Sequence, residues 1–246
     1  MGLFDLFSKK GSPSSEQREL LRLKKMVANK LSQNIDREDA LFRLAEMKTP
    51  DAAKVLLSRF DWTLNPSIKD QEEKEAAVRG IAAAGEAALP VVRAYCLRAE
   101  ALAWPLKALK GILPASSLEE ELLGILDEFD TEYVRNPQPK VQLLQALGEF
   151  TSDDVRIAVQ PFLGDTSEEV RFAAATTVLG CDLSAAVESL VSALIDEESL
   201  RVKNRIASGL VERGWKIPPS QQPELVAAVP PGFSLNSGAL TGAATT

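Results

Sequence analysis

From residue 15 to residue 213, apolar side chains recur at spacings of three and four with polar positions between them. That period places them on one face of an α-helix. Leu20, Leu23, Val27 and Leu31 form the first stripe, opened by the polar run SPSSEQ. Leu41, Leu44 and Ala45 form a second, and Ala53, Leu56, Leu57 and Phe60 a third. Val78, Ile81 and Ala82 follow, then Leu89, Val92 and Cys96, then Leu102, Leu106, Leu109 and Leu113. Leu118, Leu122, Ile125, Leu126 and Phe129 mark another helix, and Val141, Leu144 and Leu147 the next. The series closes with Val155, Ala158, Val159 and Phe162; Val170, Ala173, Ala174 and Thr177; Val187, Leu190, Val191 and Leu194; and Val202, Ile206 and Leu210.

The breaks between stripes carry helix punctuation. Pro50 in KTPD sits where a helix starts, and Thr166 with Glu169 in DTSEE has the spacing of a capping box. Gly148 and Gly180 stand where helices stop. Residues 61–70, DWTLNPSIKD, are the least regular insert and predict a longer loop. Pro90, Pro105 and Pro161 fall inside stripes, which predicts shortened or kinked helices. No stretch shows the alternation and turn chemistry of a hairpin.

The stripes repeat. Val141 to Val170 is 29 residues and Val170 to Val202 is 32, and residues 76–98 follow the same grammar further upstream. A helix, a glycine-bearing turn, a second helix and an acidic link recur at about 30 residues, the mark of units that bury their apolar faces by stacking. Residues 165–180, DTSEEVRFAAATTVLG, resemble the first helix of a short bacterial HEAT repeat: Asp in the link, Val-Arg in the first turn, spaced alanines, Leu-Gly at the end. Residues 76–98, 140–165 and 196–213 share the pattern more loosely, and 37–60 and 101–129 least. The resemblance covers about residues 36–213. It implies an all-α fold, an α-solenoid superhelix of stacked antiparallel helix pairs with five or six pairs, serving as an interaction surface.

The expected organisation has three parts. Residues 1–14 form a flexible amphipathic and basic segment, 15–213 the HEAT-like array, and 214–246 a Pro/Gly/Ala-rich tail with one short helix over ELVAAV and disorder beyond Pro230.

Composition narrows the chemistry. The 246 residues are 45% apolar, 26% charged and 6% aromatic, with a net charge of −7. Residues 1–30 carry +4, which leaves −11 for the remainder, so the body argues against nucleic acid while the N-terminal arm can meet an anionic surface. There is no histidine, which removes His-activated nucleophiles. The two cysteines, Cys96 and Cys181, lie among apolar positions and read as reduced core residues in a cytoplasmic protein. No phosphate-binding glycine loop is present. The acidic runs at Glu119–Glu121, Asp127–Asp130 and Asp196–Glu198 lack metal-ligand spacing. We therefore expect no catalytic residue, no cofactor and no metal.

The residues that remain are recognition candidates. Asp165 with Arg171, and Asp196 with Arg201, have the spacing of a structural ladder joining neighbouring repeats. Lys54, Arg59, Arg93, Arg98, Asp154, Arg156, Gln160, Glu188 and Ser192 fall on the second helices, where an array of this kind presents its concave face; Trp62 is the tryptophan set in a loop. Trp104 reads as core and Trp215 as the cover of the last repeat. Leu3, Phe4, Leu6 and Phe7 with Lys9 and Lys10 form a short apolar segment followed by positive charge, fit for an anionic membrane surface or for docking on protein. The expected function is a non-enzymatic protein-binding scaffold. A peripheral membrane adaptor attached through residues 1–12 is the alternative, and a HEAT-fold enzyme such as a chromophore lyase or alkylbase DNA glycosylase comes third. The partner protein and the oligomeric state are not encoded in any motif.

Overall fold

The computed structural model describes residues 14–242; the segment with Leu3, Phe4, Leu6, Phe7, Lys9 and Lys10 lies outside them. The described chain is mostly helical, with thirteen α-helices and one two-stranded hairpin. The helices are α1 (Ser15–Ala28), α2 (Asn34–Met47), α3 (Pro50–Leu57), α4 (Ser67–Ala83), α5 (Leu89–Cys96), α6 (Ala103–Ile112), α7 (Ala115–Leu126), α8 (Gln138–Leu147), α9 (Asp153–Val159), α10 (Glu168–Gly180), α11 (Val187–Asp196), α12 (Leu200–Arg213) and α13 (Gln222–Ala228). Two compact units divide the chain inside α6: residues to 95 with 107–112, and residues 96–106 with 113 onwards.

Local chemistry accounts for most boundaries. Ser14 and Gln17 exchange side-chain and backbone hydrogen bonds in a capping box that opens α1. Thr49 caps α3 through the amide of Ala52, with Pro50 in the first turn. The expected capping box of Thr166 and Glu169 does not form. The Asp165 carboxylate takes the amide of Ser167 instead, and Glu169 accepts from Gln138. The long irregular insert is shorter than expected, because α4 already begins at Ser67.

The three prolines fall at the starts of elements, not in helix interiors. Pro90 and Pro105 fall in the first turns of α5 and α6, and Pro161 opens the 3₁₀ turn Gln160–Gly164 after α9. Proline has no N–H to lose at the first turn, where amides lack helical partners anyway. Only Pro161 marks where a stripe splits into two elements, α9 and the 3₁₀ turn after it.

In the first unit α1 packs on α2 and α3, and α2 and α3 both pack on α4. The Lys69 ammonium meets Glu38 near the starts of α4 and α2, while Gly80 presses on Ala45 nearer their ends, where a Cβ would sit 2.9 Å from the alanine Cβ. These two helices therefore run in the same direction. In the second unit α8, α10 and α12 stack in the same way. Gln138 reaches Glu169 at the starts of α8 and α10, and Thr177 Oγ1 donates to the Leu144 carbonyl further along. Arg201 meets Glu168 and Gly209 meets Leu179 in the next pair. Every one of these contacts joins residues about 30 apart, which gives the sequence period a packing meaning. Leu144, Val170, Ala174, Val178, Leu190, Leu194, Ile206 and Leu210 fill the core between them.

The tail departs from the expected disorder. Phe233–Asn236 and Ala239–Gly242 pair antiparallel, and the second strand packs on α12. Ser237 (φ 49°) and Gly238 (φ 74°) form a two-residue turn with both residues left-handed, the geometry that matches strand twist. The Ile217 amide adds a bond to the Gly238 carbonyl, and Leu240 is buried. The hairpin signal was the Ser-Gly dipeptide, hidden in a stretch of low hydrophobicity.

Candidate functional site

Two polar centres stand out, one in each unit. In the first unit, Arg37 of α2, Arg59 after α3 and Glu73 of α4 are all buried. Arg59 Nε lies 2.7 Å from Glu73 and its Nη2 2.8 Å from Asp70, while Arg37 Nη2 lies 3.0 Å from Glu73. Lys74 completes the cluster on Asp70 at 2.8 Å. Burial pushes the Asp70 carboxyl up, but the bonds from Lys74, Arg59 and the Leu64 amide outweigh it and hold the group below its ordinary value.

Trp62 covers this cluster. The Arg59 guanidinium stands 3.8 Å from the centre of its ring and donates to its carbonyl, with Arg37 at 5.5 Å. This corrects two expectations. Arg59 is fully buried, so it holds the fold and does not reach a partner. Trp62 is half-buried, with its ring against the guanidiniums of Arg59 and Arg37.

In the second unit the same device occurs twice. The fully buried Asp165 carboxylate in the link before α10 receives Lys140 Nζ at 2.9 Å and the Ser167 amide at 2.8 Å. Glu197 in the link before α12 receives Arg171 through Nε and Nη2, both at 2.8 Å, and the Ser199 amide at 2.8 Å. Burial pushes the Glu197 carboxyl up, yet the Arg171 bond and the backbone amides prevail and lower it.

The expected Asp165–Arg171 and Asp196–Arg201 ion pairs are not found among the described residues; other partners take Asp165, Arg171 and Arg201. Arg171 takes the carboxylate of Glu197 and only the carbonyl of Asp165, and Asp196 stays exposed. Arg201 pairs with Glu168 across 3.5 Å at the surface and stacks on Phe172. At the next level Lys203 donates to the Ala228 carbonyl where the others hold an acid.

Beside these links lies a cleft of about 840 Å³. Arg156 and Gln160 line one wall, Glu188, Ser189 and Ser192 of α11 the other, with Arg171 and residues 196–198 at the end. Arg156 is held by Asp153 at 2.6 Å and by Gln160 at 3.0 Å. Gln221, just before α13, donates to the Glu188 carbonyl and to Ser192 Oγ. Glu188, Asp196 and Glu198 are exposed and make no ion pair among the described residues, so the cleft carries excess negative charge. Its lining is polar and ionic.

Four of the sequence candidates, Arg156, Gln160, Glu188 and Ser192, thus come together in one place. Asp154 lines a separate cleft of about 690 Å³ with Ile157, Pro161 and Phe129. Lys54, Arg93 and Arg98 are exposed and line neither cleft. Sequence reasoning missed Lys140 and Glu73 and read Glu197 only as part of an acidic run; Glu73 and Glu197 have charged neighbours on both sides, so nothing local signals their burial. Cys96 and Cys181 are buried free thiols, and burial pushes Cys96 up to about 12. Trp104 is half-buried, and Trp215 lies under the Arg213 guanidinium at 5.4 Å. Among the described residues no group of three or more Cys, Asp or Glu side chains could hold a metal ion, and no helix is long and apolar enough to cross a membrane.

Comparison with known proteins finds no matching family model, no matching curated protein and no matching solved structure.

Proposed function

We propose that the chain is a HEAT-like α-solenoid that acts as a non-enzymatic scaffold, and that the cleft between α9 and α11 seats a segment of a partner protein. The observation that carries this reading is the convergence of Arg156, Gln160, Glu188 and Ser192 on one cleft. Lys140–Asp165 and Arg171–Glu197 fix the links behind it, so the walls are set before a partner arrives. The parallel stacking of α8, α10 and α12 at about 30-residue offsets supports the repeat half of the reading.

The unpaired Glu188, Asp196 and Glu198 favour a segment rich in Lys or Arg. A photo-crosslinking residue placed at Ser192 tests this in cells. Capture of a protein by the parent chain, lost on Glu188→Lys at unchanged thermal stability, supports the reading. Absence of any captured protein, or capture indifferent to Glu188→Lys, overturns it.

A further inference from the structure

Arg156 and Gln160 face the α9–α11 cleft from one stripe of α9 and the turn after it. Asp154, Ile157, Ala158 and Pro161, spaced three and four apart, form another stripe and line a different cleft. That cleft has a volume of about 690 Å³ and lies between α9 and the C-terminal end of α7. Its apolar lining is Leu123 and Leu126 of α7, Phe129 after it, and Ile157, Ala158 and Phe162. Ile157 stands 54% exposed.

The charges on this cleft are all of one sign. Asp127, Asp130 and Asp154 line it, all three exposed, and no lysine or arginine does. Asp127 and Asp154 make no ion pair among the described residues. Asp130 has the Lys140 ammonium at 3.9 Å, but that ammonium is held closer by Asp165, at 2.9 Å. The Arg156 guanidinium is engaged by Asp153 and Gln160.

Asp127 also stands against a helix dipole. It is the C-cap of α7, a helix of twelve residues with no basic residue in its last turn. The carbonyl end of a helix carries partial negative charge, which favours a cation there and disfavours a carboxylate. Asp127 adds to that negative potential, and no cation on the cleft offsets it. An anionic surface is repelled from such a place, and a purely apolar segment would leave the carboxylates without partners. An apolar anchor flanked by Lys or Arg satisfies both the walls and the charges.

We propose that this cleft seats a peptide segment of a partner protein that carries such an anchor. A leucine or aromatic side chain packs against Ile157 and Phe129, and its flanking cations face Asp127 and Asp154. The cation at Asp127 completes the C-terminal end of α7. This seat is separate from the α9–α11 cleft and does not depend on it.

Random dodecamer peptides displayed on phage and selected on the full chain read the preference of the surface. The expected consensus places Leu, Phe or Trp beside Lys or Arg. A fluorescein-labelled peptide of that consensus, followed by polarisation, should lose about tenfold in affinity on Ile157→Glu, as loss of a central anchor does. Asp127→Lys should weaken it about fivefold, and rising ionic strength should weaken the parent's binding. Asp127→Lys puts a cation at a helix C-terminus, so its Tm should not fall, and it covers the case in which Ile157→Glu misfolds. A selection that enriches no peptide, or a consensus without Lys or Arg, would overturn the proposal. So would affinity indifferent to both substitutions. Binding of every selected peptide that is lost on Glu188→Lys but not on Ile157→Glu would assign them to the α9–α11 cleft, overturning this proposal and leaving that reading intact. Self-association in sedimentation velocity that Ile157→Glu abolishes would assign the cleft to a second copy and overturn it as well.

Discussion

Arg171 holds Glu197 with two parallel hydrogen bonds, Nε to Oε2 and Nη2 to Oε1, each 2.8 Å long. The arginine belongs to α10 and the glutamate to the link before α12, so the pair ties one helical level to the next. The glutamate side chain is 2% exposed and the arginine 20%. Removing the arginine leaves a nearly buried carboxylate with backbone amides alone. Arg171→Ala should therefore cost about 2–3 kcal/mol of stability, read as a fall in Tm of about 4–12 °C. Arg171→Lys should recover only part, because an ammonium cannot reproduce the planar fork. An unchanged Tm for Arg171→Ala would show that the pair is not a structural link.

The acid limb of stability follows from the same carboxylate and from Asp70. Both are held below their ordinary values in the folded chain. A carboxyl with a lowered folded pKa contributes stability that is complete above its unfolded value, near 4, and is lost as pH falls through the folded one. The urea midpoint should stay level from about pH 7 to pH 5 and drop below about pH 4. Glu197→Gln should start lower and fall less steeply, since one proton-linked group is gone. An equally steep fall in that variant would remove Glu197 from the account.

Lys140 and Asp165 make the stricter test of a buried pair, with side chains 2% and 0% exposed. Lys140→Met should cost about 3–5 kcal/mol, because it strands a charge. Lys140→Met with Asp165→Asn should recover part of the loss, since the amide oxygen still accepts from Ser167 while the charge is removed. Urea denaturation of both variants gives the comparison; a double variant no better than the single one would contradict it.

Two glycines in helices should respond to alanine with opposite signs. Gly209 faces Leu179, and an added Cβ would lie 2.6 Å from its Cδ2 in a filled core. Gly209→Ala should destabilise by about 1–3 kcal/mol. Gly124 in α7 has nothing within 4 Å, so Gly124→Ala should stabilise by roughly 0.5–1 kcal/mol through helix propensity. Calorimetric Tm values of the two variants check the signs.

The cleft was partly legible in the chain. Arg156, Gln160, Glu188 and Ser192 could be placed on second helices from their spacing, and the structure gathers them on one cleft. Arg59 and Trp62 looked the same in sequence and proved otherwise. Arg59 sits one helical turn from Val55 on a face that turns inward, where Glu73 and Asp70 from another helix neutralise it. A sequence pattern gives the face of a residue relative to its own helix, and says nothing of a counter-charge arriving from another.

Helix positions and the 30-residue period were determined by the sequence alone, because amphipathic spacing and first-turn chemistry act within a few residues. The ion-pair partners of Asp165 and Arg171, the seat of Trp62 and the hairpin at the C-terminal end were decided by tertiary structure. Glu197 was chosen over Asp196 by where α10 and α12 bring the links, and one residue of difference separates a buried carboxylate from an exposed one. The hairpin, with its short strands, is held by the surface of α12 that Leu240 covers, since two strands alone are marginal in water.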